Sequence, residues 1–230
     1  MSGAQVLVVA AHPDDDVLNC GGVVARHATD RDCVHILFMA EGGTARQPSV
    51  SLEQAAGDIA SREDCARRSA EILGASPPLF VRNPDNRLDT VPLIDLAKNI
   101  EKVIADLRPS IVYTHHGGDL NIDHRRVHEA VLTACRPMAA CPVDSIYAFE
   151  VSSSTEWALS SAYDAFRPNH FVDITDYLDK KIAALQCHHA EMRPFPHPRS
   201  YDAVIALARI RGATCGHQAA EAFQVVRQTR

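Results

Sequence analysis

His12-Pro13-Asp14-Asp15-Asp16 sets an imidazole beside three carboxylates, directly after the apolar run 5–11 (QVLVVAA). Adjacent carboxylates repel, so a purely structural loop gains nothing from them, although one aspartate can cap a following helix. A second polar run, His115-His116-Gly117-Gly118-Asp119-Leu120-Asn121-Ile122-Asp123-His124, follows the apolar stretch 111–114 (IVYT). Brought into one crevice, His12, Asp14 or Asp15, and His124 form an N/O ligand set that suits zinc. Three protein ligands leave one position open for water, whose pKa the metal lowers to about 7. With two neighbouring aspartates, one can ligate while the other faces the water as general base.

Positioning both runs in one crevice requires strands that end side by side. Residues 5–11 are a Val-rich continuous apolar run, the pattern of a strand buried on both faces of a parallel sheet. Helix 17–27 and strand 34–40 (VHILFMA) complete a βαβ unit, and the order then repeats: helix 61–73 before Gly74, strand 78–82, helix 91–107 before Pro109, strand 111–114. Helix 124–134, strand 145–151, and helices 177–191 and 200–211 follow. The alternation predicts a single domain over 1–230, a Rossmann-like three-layer α/β/α fold with a mostly parallel sheet. In such sheets ligands bind outside the carboxyl ends of the strands, where both polar runs lie. The last 60 residues, from about 170, are expected to add helices that complete the pocket.

Composition narrows the class. The 230 residues are 46% hydrophobic and 23% charged, which excludes a disordered or collagen-like chain. A formal charge of -6 gives no basic field for nucleic acid or an anionic membrane. No signal-peptide pattern or membrane-length apolar run is present, so a cytoplasmic protein without stable membrane insertion is expected. Seven cysteines without a CxxC pair argue against a disulfide framework, and most are expected to be buried. Gly21-Gly22 superficially suggests a dinucleotide loop, but the glycines come too late, and Asp14, Asp15 and Asp16 would repel a pyrophosphate. A two-metal phosphoesterase would want more bridging carboxylates.

The two polar runs, with Gly21-Gly22 and with Asp123-His124 opening a helix, resemble the LmbE/PIG-L family. Its members are zinc-dependent N-deacetylases of N-acetylglucosaminyl units in glycolipids, thiol precursors, antibiotics and surface sugars, on a Rossmann-like fold. The likeness continues through Ala40-Glu41-Gly42, Pro84-Asp85-Asn86-Arg87-Leu88-Asp89, His197-Pro198-Arg199-Ser200, Arg211-Gly212 and Ala220-Glu221-Ala222-Phe223. It is nearer the branch of bacterial sugar and polysaccharide metabolism than the mycothiol or bacillithiol enzymes. The resemblance implies His12, Asp15 and His124 as ligands of one zinc ion per chain, in a site that other divalent transition metals can also fill. It implies Asp14 as general base. The family's third acid, often glutamate, is here Asp16. Where many members have the first histidine of His-Pro-Asp-His, this chain has Asn121, which can donate a hydrogen bond to an oxyanion but not a proton. Protonation of the amine then falls to Asp14, or to His116 or Asp119. The implied reaction removes acetyl from a free, nucleotide-linked or glycoconjugated amino sugar. A protein that binds metal and sugar without turnover is the alternative, for which Asn121 is the sequence hint.

Arg46, Asn86, Arg87 and Asp119 lie in strand-end loops and are expected to meet substrate hydroxyls or phosphate; solvated salt bridges are the bland reading. Alternation lets only one of His115 and His116 face the pocket. His128, four residues after His124, shares its helix face and is read as a supporting or surface histidine. His188, His189 and His197 lie in the C-terminal helical region, where the run with Pro194, Pro196 and Pro198 reads as a loop that forms a pocket wall or lies on the surface. Trp157, Tyr163 and Phe166 mark an irregular segment that could serve as lid or oligomer contact, with core packing a commoner use of such aromatics than stacking on a sugar ring, and with homo-oligomerisation left open.

Overall fold

The computed structural model describes residues 3–45, 52–139, 141–158 and 165–229. Arg46 and Tyr163 lie outside the described residues. Chain order runs β1 (Gln5–Ala10), α1 (Asp15–Thr29), β2 (Cys33–Ala40), α2 (Leu52–Leu73), β3 (Leu79–Asn83), α3 (Leu93–Leu107) and β4 (Ile111–His115). It continues through α4 (Ile122–Ala134), β5 (Ser145–Phe149), β6 (His170–Asp173), α5 (Leu178–Gln186), α6 (Tyr201–Cys215) and β7 (Ala220–Gln228). One sheet has the order β3-β2-β1-β4-β5-β7-β6; the first five strands are parallel, and β7 is antiparallel to both neighbours.

β1 lies at the centre of the sheet, and its alternation divides the core. Val6, Val8 and Ala10 pack on one face with residues of α1, α2, α5 and α6, whereas Leu7, Val9 and Ala11 pack on the other with α3 and α4. All six are fully buried, as expected for a strand covered by helices on both sides. The chain leaves β1 towards β2 on one side, while β4 pairs with β1 on the other. Strand order reverses between them, so the loops after β1 and β4 open into a shared crevice at their carboxyl ends.

The expected three-layer α/β architecture is the observed one. The difference lies at the C-terminus, where β6 and β7 extend the sheet in addition to α5 and α6. β7 (AEAFQVVRQ) opens with Ala-Glu-Ala, residues depleted in strands, and it holds its conformation by pairing with β5 and β6. The expected helix 177–191 stops at Gln186 and ends in a separate 3-10 turn, His189–Glu191. Cys20 and Cys135 are buried, Cys33 is exposed at the start of β2, and the other four cysteines are half-buried; all seven are free thiols. Among the described residues no helix is long and apolar enough to cross a membrane.

Gly21-Gly22 has a structural use. α1 is interrupted at Cys20 (φ −140°, ψ 18°), which frees backbone groups on both sides of the kink. The buried Glu221 carboxylate accepts from Gly22 N at 3.0 Å and Val23 N at 2.7 Å. Lys181 Nζ donates to Leu18 O at 2.9 Å and to Glu221 Oε1 at 2.6 Å. A Cβ on Gly22 would stand 2.7 Å from Ile174 Cδ1, so the second half of the helix approaches its neighbour only with glycine there. This joint fixes the direction of the first turn of α1, which carries Asp15 and Asp16.

Candidate metal centre and catalytic cleft

Asp14 ends the loop after β1 and caps α1 with φ 144°, a backbone conformation costly for a non-glycine residue. That turn brings Asp15 back under His12: Asp15 Oδ2 accepts from His12 N at 3.0 Å and lies 3.3 Å from His12 Nδ1. Across the crevice, Asn121 caps α4 by accepting from Asp123 N at 2.8 Å, and the first turn of that helix delivers His124. His124 Nε2 is 3.4 Å from Asp15 Oδ2. One ligand atom from each of His12, Asp15 and His124 lies within 4.8 Å of the others, and all three residues are buried.

A second group, His12, Asp85 and Asp123, is equally tight, but its atoms are already in use. Asp123 accepts from Asn86 N at 2.7 Å and Leu88 N at 2.9 Å, and Asp85 accepts from Ala45 N at 3.2 Å. Both carboxylates stand 3.1 Å from His12 Nε2. In the first group, Asp15 Oδ1 and His124 Nε2 are buried with no hydrogen-bond partner. Buried polar atoms are ordinarily paired, so two orphans on residues of one tight group fit a cation there. The donor set of two imidazoles and a carboxylate suits zinc or a similar divalent metal.

Each imidazole is held from behind. Asp123 and Asp85 back His12, and Asp119 Oδ1 receives His124 Nδ1 at 3.0 Å, the carboxylate–histidine pattern that sets tautomer and ring orientation at metal sites. Asp119 is itself held by Thr155 Oγ1 at 2.5 Å, by Asn121 N at 2.8 Å and by Ser154 Oγ. His115 lies beneath the site, its ring stacked on His124 at 4.0 Å and its Nε2 accepting from Ala11 N at 2.8 Å.

The electrostatics follow from burial of this set. Burial alone would lower the pKa of His12, but hydrogen bonds to Asp123, Asp15 and Asp85 outweigh it and hold the ring well above the usual range. Burial would raise Asp15; the neighbouring His124 and His12 instead hold it well below an ordinary carboxylate. Asp119, despite burial, is brought down to about 2 by His124, Ser154 and Thr155. Burial pushes Asp16 up to about 7. Asp14 is raised by burial, against the opposing charge of Arg199, whose Nη1 donates to Asp14 Oδ2 at 2.8 Å.

A cleft of about 400 Å³ opens beside this centre, with Asn121, His124, Trp157 and Arg199 in its lining. Of the residues expected at the site, His12, Asp14, Asp15, Asn121 and His124 are brought together. Asp119 is 1% exposed, with its oxygens engaged behind His124 rather than open to the cleft. His116 points away, its ring 5.4 Å from that of Phe166 in a separate pocket that also contains His128. Asn86, with φ 52°, serves through its backbone N–H to Asp123, and Arg87 is exposed on the same loop. Reading by motif missed the roles of Asp85, Arg199, Ser154 and Thr155. Asp85 and Arg199 do stand in distinctive stretches, Pro84-Asp85-Asn86 and His197-Pro198-Arg199, but nothing local says that one meets His12 and the other Asp14.

A family description, "PIG-L: GlcNAc-PI de-N-acetylase", matches residues 7–135. The uncharacterized deacetylase YaiS of Escherichia coli is 28% identical over 80% of this chain and 89% of its own length. The 4-oxalmesaconate hydratase of Pseudomonas putida is 32% identical over 80% of this chain and 72% of its own. Among solved structures, N,N'-diacetylchitobiose deacetylase from Pyrococcus horikoshii superposes with a TM-score of 0.78 at 20% identity, over 97% of this chain and 84% of that one. The 4-carboxy-2-hydroxymuconate hydratase from Pseudomonas putida superposes with a TM-score of 0.77 at 25% identity, over 99% of this chain and 98% of that one.

Proposed function

The chain belongs to the PIG-L family of GlcNAc-PI de-N-acetylases, and from that premise we propose that it is a zinc-dependent hydrolase of an N-acetylated amino-sugar derivative. The observation that carries the reading is the convergence of His12, Asp15 and His124, with one ligand atom of each within 4.8 Å of the others and with Asp15 Oδ1 and His124 Nε2 buried and unpaired. Asp14 stands beside them, bonded to Arg199 in the lining of the adjoining cleft.

A divalent metal bound by His12, Asp15 and His124 supplies Lewis acidity towards the amide carbonyl and acidifies water. Asp14 takes the proton of the attacking water. Arg199 holds the Asp14 carboxylate by one oxygen and so orients it. Asn121 Oδ1 is committed to capping α4, which leaves the amide Nδ2 as its donor to the oxyanion of the tetrahedral intermediate. His116 faces Phe166 and Asp119 is enclosed behind His124, so the proton that the leaving amine needs is best returned by Asp14. The products are acetate and a free amine.

The test is acetate release from a panel of N-acetylhexosamines, free, phosphorylated and nucleotide-linked, by zinc-loaded protein. Chelation should abolish release and zinc restore it. Asp14→Asn should lower kcat by about 10² to 10⁴ while retaining metal. Equal rates for wild type and Asp14→Asn would remove Asp14 as base. A second reading, hydration of an unsaturated carboxylate, is favoured by the 32% identity to a hydratase; loss of diene absorbance from 4-oxalmesaconate without acetate release from any amide would select it. Tight zinc and sugar binding without either reaction would select the binding protein.

A further inference from the structure

The opposite wall of the cleft is the segment 193–199. Arg193 N donates to Arg199 O at 3.1 Å, which closes the segment and sets its two terminal arginines side by side. His197 N donates to Pro194 O at 3.1 Å, and Ser200 N to His197 O at 2.9 Å. Arg193, His197 and Arg199 all line the same cleft as His124 and Asn121.

The hydrogen bonds within this wall consume acceptors and leave donors. His197 Nδ1 accepts from Arg199 N at 3.0 Å, which places the ring proton on Nε2 and makes that nitrogen a donor. Arg199 uses Nη1 on Asp14 and Nε on Ser153 Oγ at 2.8 Å, with Nη2 remaining. Arg193 directs Nη1 to the carbonyls of Ala190 and Met192, both at 2.8 Å, and no carboxylate among the described residues pairs with it. The carboxylate of Glu191, the acidic side chain of this lining, is paired through Oε1 with Arg62, and Asn121 Oδ1 caps α4. Trp157, 49% exposed, stands edge-on to His197 with ring centroids 5.7 Å apart, an open apolar face at the same rim.

A cleft with unspent charged donors, whose lining carboxylate is already paired with Arg62, is complementary to an anion, and the planar guanidinium fork matches pairs of carboxylate or phosphate oxygens. Its volume of about 400 Å³ accommodates a small ligand reaching from the metal centre to this wall. We propose that Arg193, with His197 and Arg199, forms a subsite for a phosphate or carboxylate carried by the sugar ring whose acetamide lies at the metal centre. This rests on the deacetylase reading for the orientation of the substrate. The loop of Asn86 and Arg87, expected from the sequence to meet such a group, is not part of this lining.

Calorimetric titration of zinc-loaded protein with amine products tests the subsite without turnover. Glucosamine, glucosamine 6-phosphate and muramic acid separate the neutral ring, the phosphate and the carboxylate. One of the two anionic sugars should bind at least about 10-fold more tightly than glucosamine. Arg193→Gln should remove most of that advantage without changing affinity for glucosamine, and Arg193→Lys should recover part of it. Equal affinities for all three ligands, an advantage intact in Arg193→Gln, or no binding of either anion would overturn the subsite. Acetate release from N-acetylglucosamine and its 6-phosphate at equal kcat/KM, with muramic acid no tighter than glucosamine, would also overturn it while leaving the deacetylase reading standing. Preferential anion binding without acetate release from any substrate would overturn the deacetylase reading and leave the subsite.

Discussion

Asp119 stands directly behind His124, its Oδ1 receiving Nδ1 at 3.0 Å while the opposite ring nitrogen, Nε2, points unpaired at Asp15. The carboxylate therefore fixes both the tautomer and the aim of an imidazole on another element. Asp119→Asn keeps the shape but loses the charge, and should weaken zinc binding by about 10- to 100-fold. Competition with a chromogenic chelator measures this; unchanged zinc affinity would reduce Asp119 to a loop brace.

Asn121 has two separable uses. Asn121→Asp retains the oxygen that caps α4 and removes the amide donor, so its unfolding midpoint should match wild type while kcat falls about 10²-fold. Asn121→Ala should lose both, with an added destabilisation of about 1 kcal/mol. Urea unfolding beside acetate release distinguishes the two, and full activity in Asn121→Asp would exclude the donor role.

Lys181 and Glu221 hold the kinked α1 as a buried pair at 2.6 Å. Lys181→Met leaves the Glu221 charge enclosed without its cation and should cost about 3–5 kcal/mol in denaturant unfolding. Adding Glu221→Gln should recover part of that loss, because the neutral amide no longer needs a counter-charge. A double variant less stable than the single one would show that the carboxylate's bonds to Gly22 and Val23 dominate.

His188 is buried against Ser69 Oγ at 3.2 Å, and burial, aided by the charge of Arg62, lowers its pKa to about 4. The unfolded histidine takes up a proton near pH 6.5, whereas the folded one resists until about 4. Stability is therefore lost as pH falls through this window, by about 3 kcal/mol in total. Unfolding free energies between pH 7 and 4 should show a shallower decline for His188→Gln than for wild type; parallel curves would refute the assignment.

The strand-end motifs were legible because each is local. Val-rich β1 followed by His12-Pro13-Asp14-Asp15, and β4 followed within ten residues by His124, place chemistry at strand ends from period and spacing alone. The five strands read from apolar patterns did not include β6 or β7, whose pairing energy comes from neighbours far along the chain.

The amino-acid sequence by itself determined the α/β alternation, the acidic, histidine-bearing loops and the ligand chemistry open to them. Tertiary structure alone decided which carboxylates accept from which imidazoles: Asp119 turned from the cleft to His124, Asp85 and Asp123 to His12, and Arg199 to Asp14 across 185 residues. Residue type restricts what a group can donate or accept, but partners are chosen by distance and burial, and these exist only once strands adjoin.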